Sequence, residues 1–242
     1  MDRTSPAQRP RRPALMVQDW HYLLFLHWVV AVEQLRPLVP IELDLDTFDG
    51  AAYVGLVPFT ITGVRPPFAP ALGPLSQSHE VNLRTYVHLG GADPGVWFFS
   101  LDASNPFAVL SARAFFKLPY FLARMELREQ GGAIDYFSER QLAGPGPAGC
   151  RLRYRSVGTP SPAEPGTLEY FLVERYVLYA RSGDRLYRGR VHHRPYPLQA
   201  AETPAIEETL LAAAGIRRPA GEPLMHYARG VHVEVFGLER VR

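Results

Sequence analysis

The chain of 242 residues contains a single cysteine, Cys150, and a single lysine, Lys117. One cysteine excludes an intrachain disulfide framework and every cage built from several thiolates, which suits a reducing compartment. Long apolar runs are also missing: the longest, Leu23 to Val32, is interrupted by His27 and falls well short of the roughly 20 residues a membrane-crossing helix needs. The opening Met-Asp-Arg-Thr-Ser-Pro, followed by Arg and Pro, has no apolar stretch ahead of a cleavage site, so the expected location is cytoplasmic. No phosphate-cradling G-x-x-x-x-G-K-[ST] loop, G-x-S-x-G elbow or H-E-x-x-H ligand pair occurs, and the reading calls for no cofactor, no metal and no membrane partner.

Charge is nearly balanced at +2, yet Arg3, Arg9, Arg11 and Arg12 against Asp2 give +3 within residues 1–14, which leaves about −1 for the remainder. A nucleic-acid-binding domain builds its basic face into the fold, so no nucleic-acid partner is expected. Residues 1–14 read as a disordered basic tail. With 47% hydrophobic residues the rest is rich enough to bury a core of its own, and 15–242 reads as a single domain. Pro/Gly-rich stretches at Val64–Pro74, Leu142–Gly149 and Gly158–Gly166 read as surface loops, not boundaries. Self-association into a homo-oligomer is compatible with this surface, although no interface is legible.

Strand patterns dominate: Trp20–Val30, Ala51–Phe59 after an Asp49-Gly50 turn, Ser78–Leu89, Val96–Leu101, Ala133–Glu139, Arg151–Ser156, Leu168–Ala180, Arg185–His193 and Val231–Phe236. Helices are expected at Ala31–Leu35, from Asn105-Pro106 onward, and at Thr203–Gly215. Regular strand–helix alternation is absent, so the expected class is mainly β with a few helices (α+β), an antiparallel sheet bent into a barrel.

Period-two alternation in HEVNLRTYVHL sets Val81, Leu83, Thr85 and Val87 on one face and Glu80, Asn82, Arg84, Tyr86 and His88 on the other. That second face is either wet or the lining of a binding cavity. In EYFLVERYVLYA both faces are apolar, so Glu174 and Arg175 need partners, and Glu174 with Arg84 or Arg175 with Glu80 would supply them. Adjacent His192 and His193 cannot share a strand face; one of them, with His88 or His232, is a candidate ligand pair, or the two simply end a strand. Lys117, in FFKLPYF, is a Schiff-base candidate if burial lowers its pKa, or a lysine snorkelling at a helix end. Glu80 and Glu174 would make a glycosidase pair only at about 5–9 Å. Cys150 sits in a Gly/Pro loop with no histidine to pair with.

The blocks LLFLHW, LVPIELDLDTFDG, VGLVPF, EVNLRTYV, GVWFFSLDA, LPYFLARM, FLVERYVLY and VHHRPYPLQ, in that order, resemble the uncharacterised YqjF-like family, domain of unknown function 2071, from about Trp20 to about Ala201. That family carries no established activity and is similar in fold to acetoacetate decarboxylase, whose sheet curls into a cone around a buried pocket. The resemblance implies such a cone here. In the decarboxylase a lysine just after Phe-Pro forms the imine, with glutamates and an arginine around it. Glu80 matches one of those glutamates, and FFKLPY resembles the lysine segment, but the lysine position itself falls on Tyr120, with Lys117 two residues before the proline. The implied cavity holds a small organic carboxylate or carbonyl compound between Glu80, Arg84, Tyr120, Glu174 and His192. Glu80 would be the base and Tyr120 or Arg84 the stabiliser of negative charge, with Lys117 as the imine candidate. Turnover, binding without turnover, and a packed core with structural ion pairs all remain open at this level.

Overall fold

The computed structural model describes residues 1–141 and 147–241. The strands are β1 (Met16–Val30), β2 (Asp44–Leu45), β3 (Ala52–Arg65), β4 (Ser78–Leu89), β5 (Ala92–Ala103), β6 (Tyr120–Gln130), β7 (Ala133–Arg140), β8 (Gly149–Ser161), β9 (Val177–Ser182), β10 (Arg185–His193), β11 (Leu198–Glu208) and β12 (Leu224–Arg240). Short helices α1 (Val32–Leu35), α2 (Pro106–Ser111), α3 (Leu168–Val173) and α4 (Leu210–Ala213) fill the connections. All strands belong to one sheet of mainly antiparallel pairs; β5–β6 and β5–β9 are parallel.

The pairing list closes on itself twice. A seven-strand ring runs β12–β1–β3–β4–β5–β9–β10 and back to β12. A nine-strand ring uses the same five strands from β12 to β5 and returns through β6, β7, β8 and β11. Both branch points are forks on one strand edge. β5 pairs with β9 at Val96–Trp97 and with β6 at Leu101–Ala103, while β12 pairs with β11 at Tyr227 and with β10 from Val233 onward. Because side chains alternate along a strand, each shared strand feeds both interiors. From β1, Leu24, Leu26 and Trp28 enter the nine-strand core, and Leu23 and Phe25 enter the seven-strand core.

Local sequence explains most elements. Asn105 caps α2 by accepting from the Phe107 and Ala108 amides at 3.0 and 3.3 Å, with Pro106 in the first turn where its missing N–H does no harm. The Phe48–Ala51 bridge closes the expected turn, with Asp49 and Gly50 both at positive φ.

Three expectations are corrected. Leu168–Ala180 is not one strand: Thr167 caps α3 by accepting from the Tyr170 amide, and Tyr170–Val173 are all buried, so a helix turned into the core produces the two-sided apolar pattern. Thr203–Gly215 is helical only at Leu210–Ala213; as far as Glu208 it is strand, because its backbone pairs with β8 up to Glu208↔Cys150, and Pro204 falls in a register shift between Glu202 and Ala205 where no ladder N–H is needed. Residues 1–14 lie against the body: Pro6 is buried, Arg9 pairs with Glu234 and Arg12 with Glu239, and Arg190 donates to the Pro6 carbonyl at 2.8 Å. β6 lies where the sequence pattern assigns no element, and Cys150 is a buried residue of β8, not of a loop. Of the Leu142–Gly149 stretch, residues 142–146 lie outside the described residues. No helix among the described residues is long and apolar enough to cross a membrane.

Candidate functional site

The polar face of β4 points into the seven-strand ring. Glu80 stands opposite Phe59 of β3, Asn82 opposite Val57, and Arg84 opposite Gly55; a register shift on the β5 side between Leu83 and Arg84 brings Phe98 beside the arginine. Gly55 lets the His27 and Tyr86 side chains come close to the strand: a Cβ would sit 3.0 Å from the His27 ring and 3.3 Å from the Tyr86 hydroxyl. On β1, Tyr22 adopts φ 58° within the register shift between His21 and Leu26. That bulge lets Trp20 face the same interior as Leu23 and Phe25,.

Glu80 is 3% exposed and accepts a hydrogen bond from the Tyr120 hydroxyl at 2.8 Å. Burial pushes its carboxyl up to about 8, Asp102 adds to the rise, and the Tyr120 hydrogen bond only partly opposes it. At neutral pH Glu80 is therefore mainly a neutral acid. This revises its expected role as a base.

Three buried arginines invite comparison. Arg140 makes a bidentate pair with Asp102 at 2.9 and 2.7 Å. Arg175 reaches Asp46 at 2.7 Å and the Phe171 carbonyl at 2.7 Å, so neither Arg175–Glu80 nor Glu174–Arg84 forms. Arg84 is 8% exposed, donates to the Leu172 carbonyl at 3.3 Å, and lies beside the Phe25 and Tyr86 rings. Its Nε has no hydrogen-bond partner, and among the described residues no carboxylate forms an ion pair with it.

Around Arg84 the interior is fixed by hydrogen bonds among buried aromatic and polar groups. The Tyr86 hydroxyl lies 2.7 Å from both the Leu172 carbonyl and His27 Nε2. If its one proton goes to the carbonyl, His27 must be the donor at Nε2. Burial, and then the Arg84 charge, hold His27 well below its ordinary range. Glu174 spends one oxygen on the Tyr196 amide at 2.9 Å and the other on the Tyr176 hydroxyl; it belongs to the ring wall and is already satisfied.

Of the expected site residues, Glu80, Arg84, Tyr120 and Glu174 are brought to this ring, and two are not. Lys117 is exposed: it sits in the left-handed region at φ 55° where the helical segment ends, and its ammonium donates to the Ala114 carbonyl. It borders an open cleft at the β5 fork, whose walls include Trp97, Phe98, Leu118, Tyr179 and Arg181. His192 faces away, with Nδ1 3.1 Å from the Ala7 carbonyl. Its neighbour His193 is the one that turns inward. His193 is 2% exposed, stacked on Tyr176 with centroids 4.6 Å apart and beside Tyr196 at 4.5 Å. Its Nδ1 meets the Arg194 carbonyl at 2.8 Å and must donate to it, so the proton-free Nε2 has no partner. Asn82 and Trp20 contribute further buried polar atoms without partners, Oδ1 and Nε1. Asn82 was legible from period two; Trp20 was hidden by the bulge. Among the described residues no group of three His, Cys, Asp or Glu is arranged to hold a metal ion.

The model of the family DUF2071, described as an uncharacterized conserved protein, matches residues 17–232. The uncharacterized protein YqjF of Bacillus subtilis (strain 168) is 44% identical over 215 residues, 89% of this chain and 88% of that protein. Solved structures share the fold at low identity. The enduracididine biosynthesis enzyme MppR complexed with pyruvate has a TM-score of 0.68 at 11% identity, over 97% of this chain and 93% of that one. An acetoacetate decarboxylase-like enzyme from Sphingomonas wittichii RW1 has 0.66 at 13%, over 97% and 96%. Acetoacetate decarboxylase from Legionella pneumophila has 0.65 at 11%, over 99% and 93%. The fold is thus the acetoacetate decarboxylase-like curled sheet.

Proposed function

The chain belongs to the DUF2071 family, and from that premise we propose that its seven-strand ring binds a small organic carboxylate, with the anionic end at Arg84 and the remainder directed toward Glu80 and Tyr120. The observation that carries this reading is the buried guanidinium of Arg84, which has no carboxylate partner among the described residues, whereas the Arg140 and Arg175 side chains each have one. A permanent cation buried alone is expensive, and an anionic ligand offsets that cost through bidentate, charge-assisted hydrogen bonds.

Asn82 lies between Glu80 and Arg84 along β4, two residues from each, and the strand rise puts the two ends about 13 Å apart at the backbone. The long arginine side chain shortens the gap, so the ligand class proposed is a compact molecule with one carboxylate and one carbonyl or hydroxyl group. MppR, with which this chain shares its fold, was captured with pyruvate, a compound of that class. The cleft at the β5 fork, sharing Phe98 and Leu118 with the seven-strand core, is the route from solvent.

The test is a thermal-denaturation and calorimetric titration with acetate, pyruvate and their uncharged amides. Binding to the folded state raises the melting temperature in proportion to ligand saturation. The carboxylates are expected to stabilise the wild type and the amides not; Arg84→Met is expected to lose the response. Equal responses of wild type and Arg84→Met, or none from either, would overturn the reading.

A further inference from the structure

The cleft at the β5 fork has a chemistry that serving as a way into the ring does not explain. It exists because the sheet divides there: β5 pairs with β9 only as far as Trp97 and with β6 only from Leu101, so the stretch between them has neither strand in register on that edge. The gap measures about 950 Å³, the size of a pocket for a small organic molecule. Trp97, Phe98 and Phe99 of β5, Tyr179 of β9, and Leu38 and Ile41 from the segment after α1 give it apolar walls. Ile41 is 84% exposed, an apolar side chain at the edge that nothing in the described residues covers. Three cations and no carboxylate line the same space: Arg113, Lys117 and Arg181. Arg181 lies 3.8 Å from Glu42, which is not part of the lining. Arg113 and Lys117, both exposed, form no ion pair among the described residues; the Arg113 guanidinium stands 6.0 Å from the Phe121 ring, and the Lys117 ammonium donates to the Ala114 carbonyl. By contrast the exposed Arg9, Arg155 and Arg229 each face a carboxylate.

We propose that this cleft is a second binding site, for an amphipathic phosphate monoester whose dianionic head meets Arg113, Lys117 and Arg181 and whose alkyl or aryl body lies along the aromatic wall. A concave surface lined by one sign of charge over apolar walls focuses its field on a counter-ion. With Glu42 set against Arg181, two positive charges are left uncompensated, and a phosphate monoester carries close to two negative charges at neutral pH. A carboxylate would balance only one. Its oxygens also accept charge-assisted hydrogen bonds from several cations at once. The aromatic wall supplies what the head cannot, since burying each methylene of the body strengthens binding by up to about fourfold. A recess bounded on both sides, by the segment after α1 and by the stretch from Lys117 to Pro119, takes up a free molecule and not the flat face of a bilayer. Arg84 is not in the lining, so this site and the proposed carboxylate site stand or fall separately.

The experiment titrates the full chain with octyl phosphate, below its micelle-forming concentration and at slightly basic pH, and follows tryptophan fluorescence together with melting temperature. Trp97 is the reporter, being the tryptophan in the cleft lining. Octyl phosphate is expected to bind about tenfold or more tightly than octanol, which has no charge, and than butyl phosphate, which has half the chain. The double variant Arg113→Gln/Lys117→Gln, at two exposed positions, should weaken octyl phosphate by about tenfold or more and leave octanol as it was. Trp97→Phe should lose the fluorescence change and keep the thermal shift. Arg84→Met should bind octyl phosphate like the wild type. Equal affinities for octyl phosphate and octanol, or full binding by the double variant, would overturn the proposal. Loss of binding in Arg84→Met alone would move the molecule into the ring, which refutes the cleft site and supports the carboxylate site. Sedimentation with phosphatidic acid vesicles, without binding of free octyl phosphate, would make this face a membrane contact and refute the proposal as well.

Discussion

The two rings share β12, β1, β3, β4 and β5 yet treat polar groups in opposite ways. On β4, Val81 and Leu83 enter the nine-strand core, while Glu80, Asn82 and Arg84 alternate with them into the other ring. The nine-strand interior buries one ion pair, Asp102 with Arg140, with both guanidinium bonds made, and its unpartnered atoms are the Trp28 indole nitrogen and the Ser100 and Ser138 hydroxyls. The seven-strand interior leaves guanidinium nitrogens of Arg84 and Arg175, imidazole nitrogens of His27 and His193, Asn82 Oδ1 and Trp20 Nε1 unpartnered. One ring is organised as a core, in which charge is cancelled locally. The other holds Arg84 with no carboxylate partner among the described residues, the feature on which the proposed ligand site rests.

Substituting the same residue type in both rings tests that contrast most directly. Arg140→Met strands Asp102, 0% exposed, without its cation, and breaking a buried pair in this way costs about 3–5 kcal/mol, read as a lower urea midpoint. An unchanged midpoint would mean that the nine-strand ring does not depend on its pair. Next in size is Leu83→Ala, a fully buried side chain whose loss opens a cavity for about 2–5 kcal/mol. Its neighbour Asn82→Ala, facing the other ring with its Oδ1 already unpartnered, should cost under about 1 kcal/mol. Equal losses from these adjacent positions would erase the distinction between the interiors.

How much of this was legible can be judged from those same residues. Period two alone separated Glu80, Asn82 and Arg84 from Val81 and Leu83, because β4 is regular and buried on both faces. The resemblance added the curled fold and drew attention to Tyr120. It could not tell His192 from His193: which of two adjacent residues faces inward depends on how β10 pairs with β9 and β12 when the ring closes, a long-range fact. Lys117 was conspicuous by rarity, yet the left-handed turn it occupies sends its amine outward. The helix α3 and the strand β11 were misread for a related reason. Burial on all sides hides the period in one, and ladder pairing overrides helical propensity in the other.

The pH dependence of stability sharpens the same contrast. Burial pushes the Glu80 carboxyl from its ordinary 4.5 up to about 8, with Tyr120 hydrogen-bonded to it and the Asp102 charge of the neighbouring interior acting on it. The folded state thus holds a proton that the unfolded chain has lost, and the contribution present below pH 4.5 declines as pH rises toward 8. The difference in unfolding free energy between wild type and Glu80→Gln isolates this group and should fall by about 1.4 kcal/mol per pH unit inside that window. His193, lowered to about 4, acts in the opposite sense below pH 6.5 and cancels from the same difference. A flat difference curve would place Glu80 among ordinary carboxylates and remove the acid from the seven-strand ring.

The smallest expected change in stability is also the most discriminating. Arg84→Met removes a buried charge that no carboxylate balances, and it leaves behind only the Leu172 carbonyl, which still accepts from Tyr86 at 2.7 Å. An apolar side chain of similar length packs against Phe25 and Tyr86, where the guanidinium now lies. The ligand-free protein should therefore be unchanged or more stable by about 1 kcal/mol, opposite in sign to Arg140→Met. A gain in stability on losing this cation is the outcome the proposed anion site requires. If Arg84→Met instead lowers the urea midpoint as far as Arg140→Met does, Arg84 is part of the scaffold, and the two rings differ in shape alone.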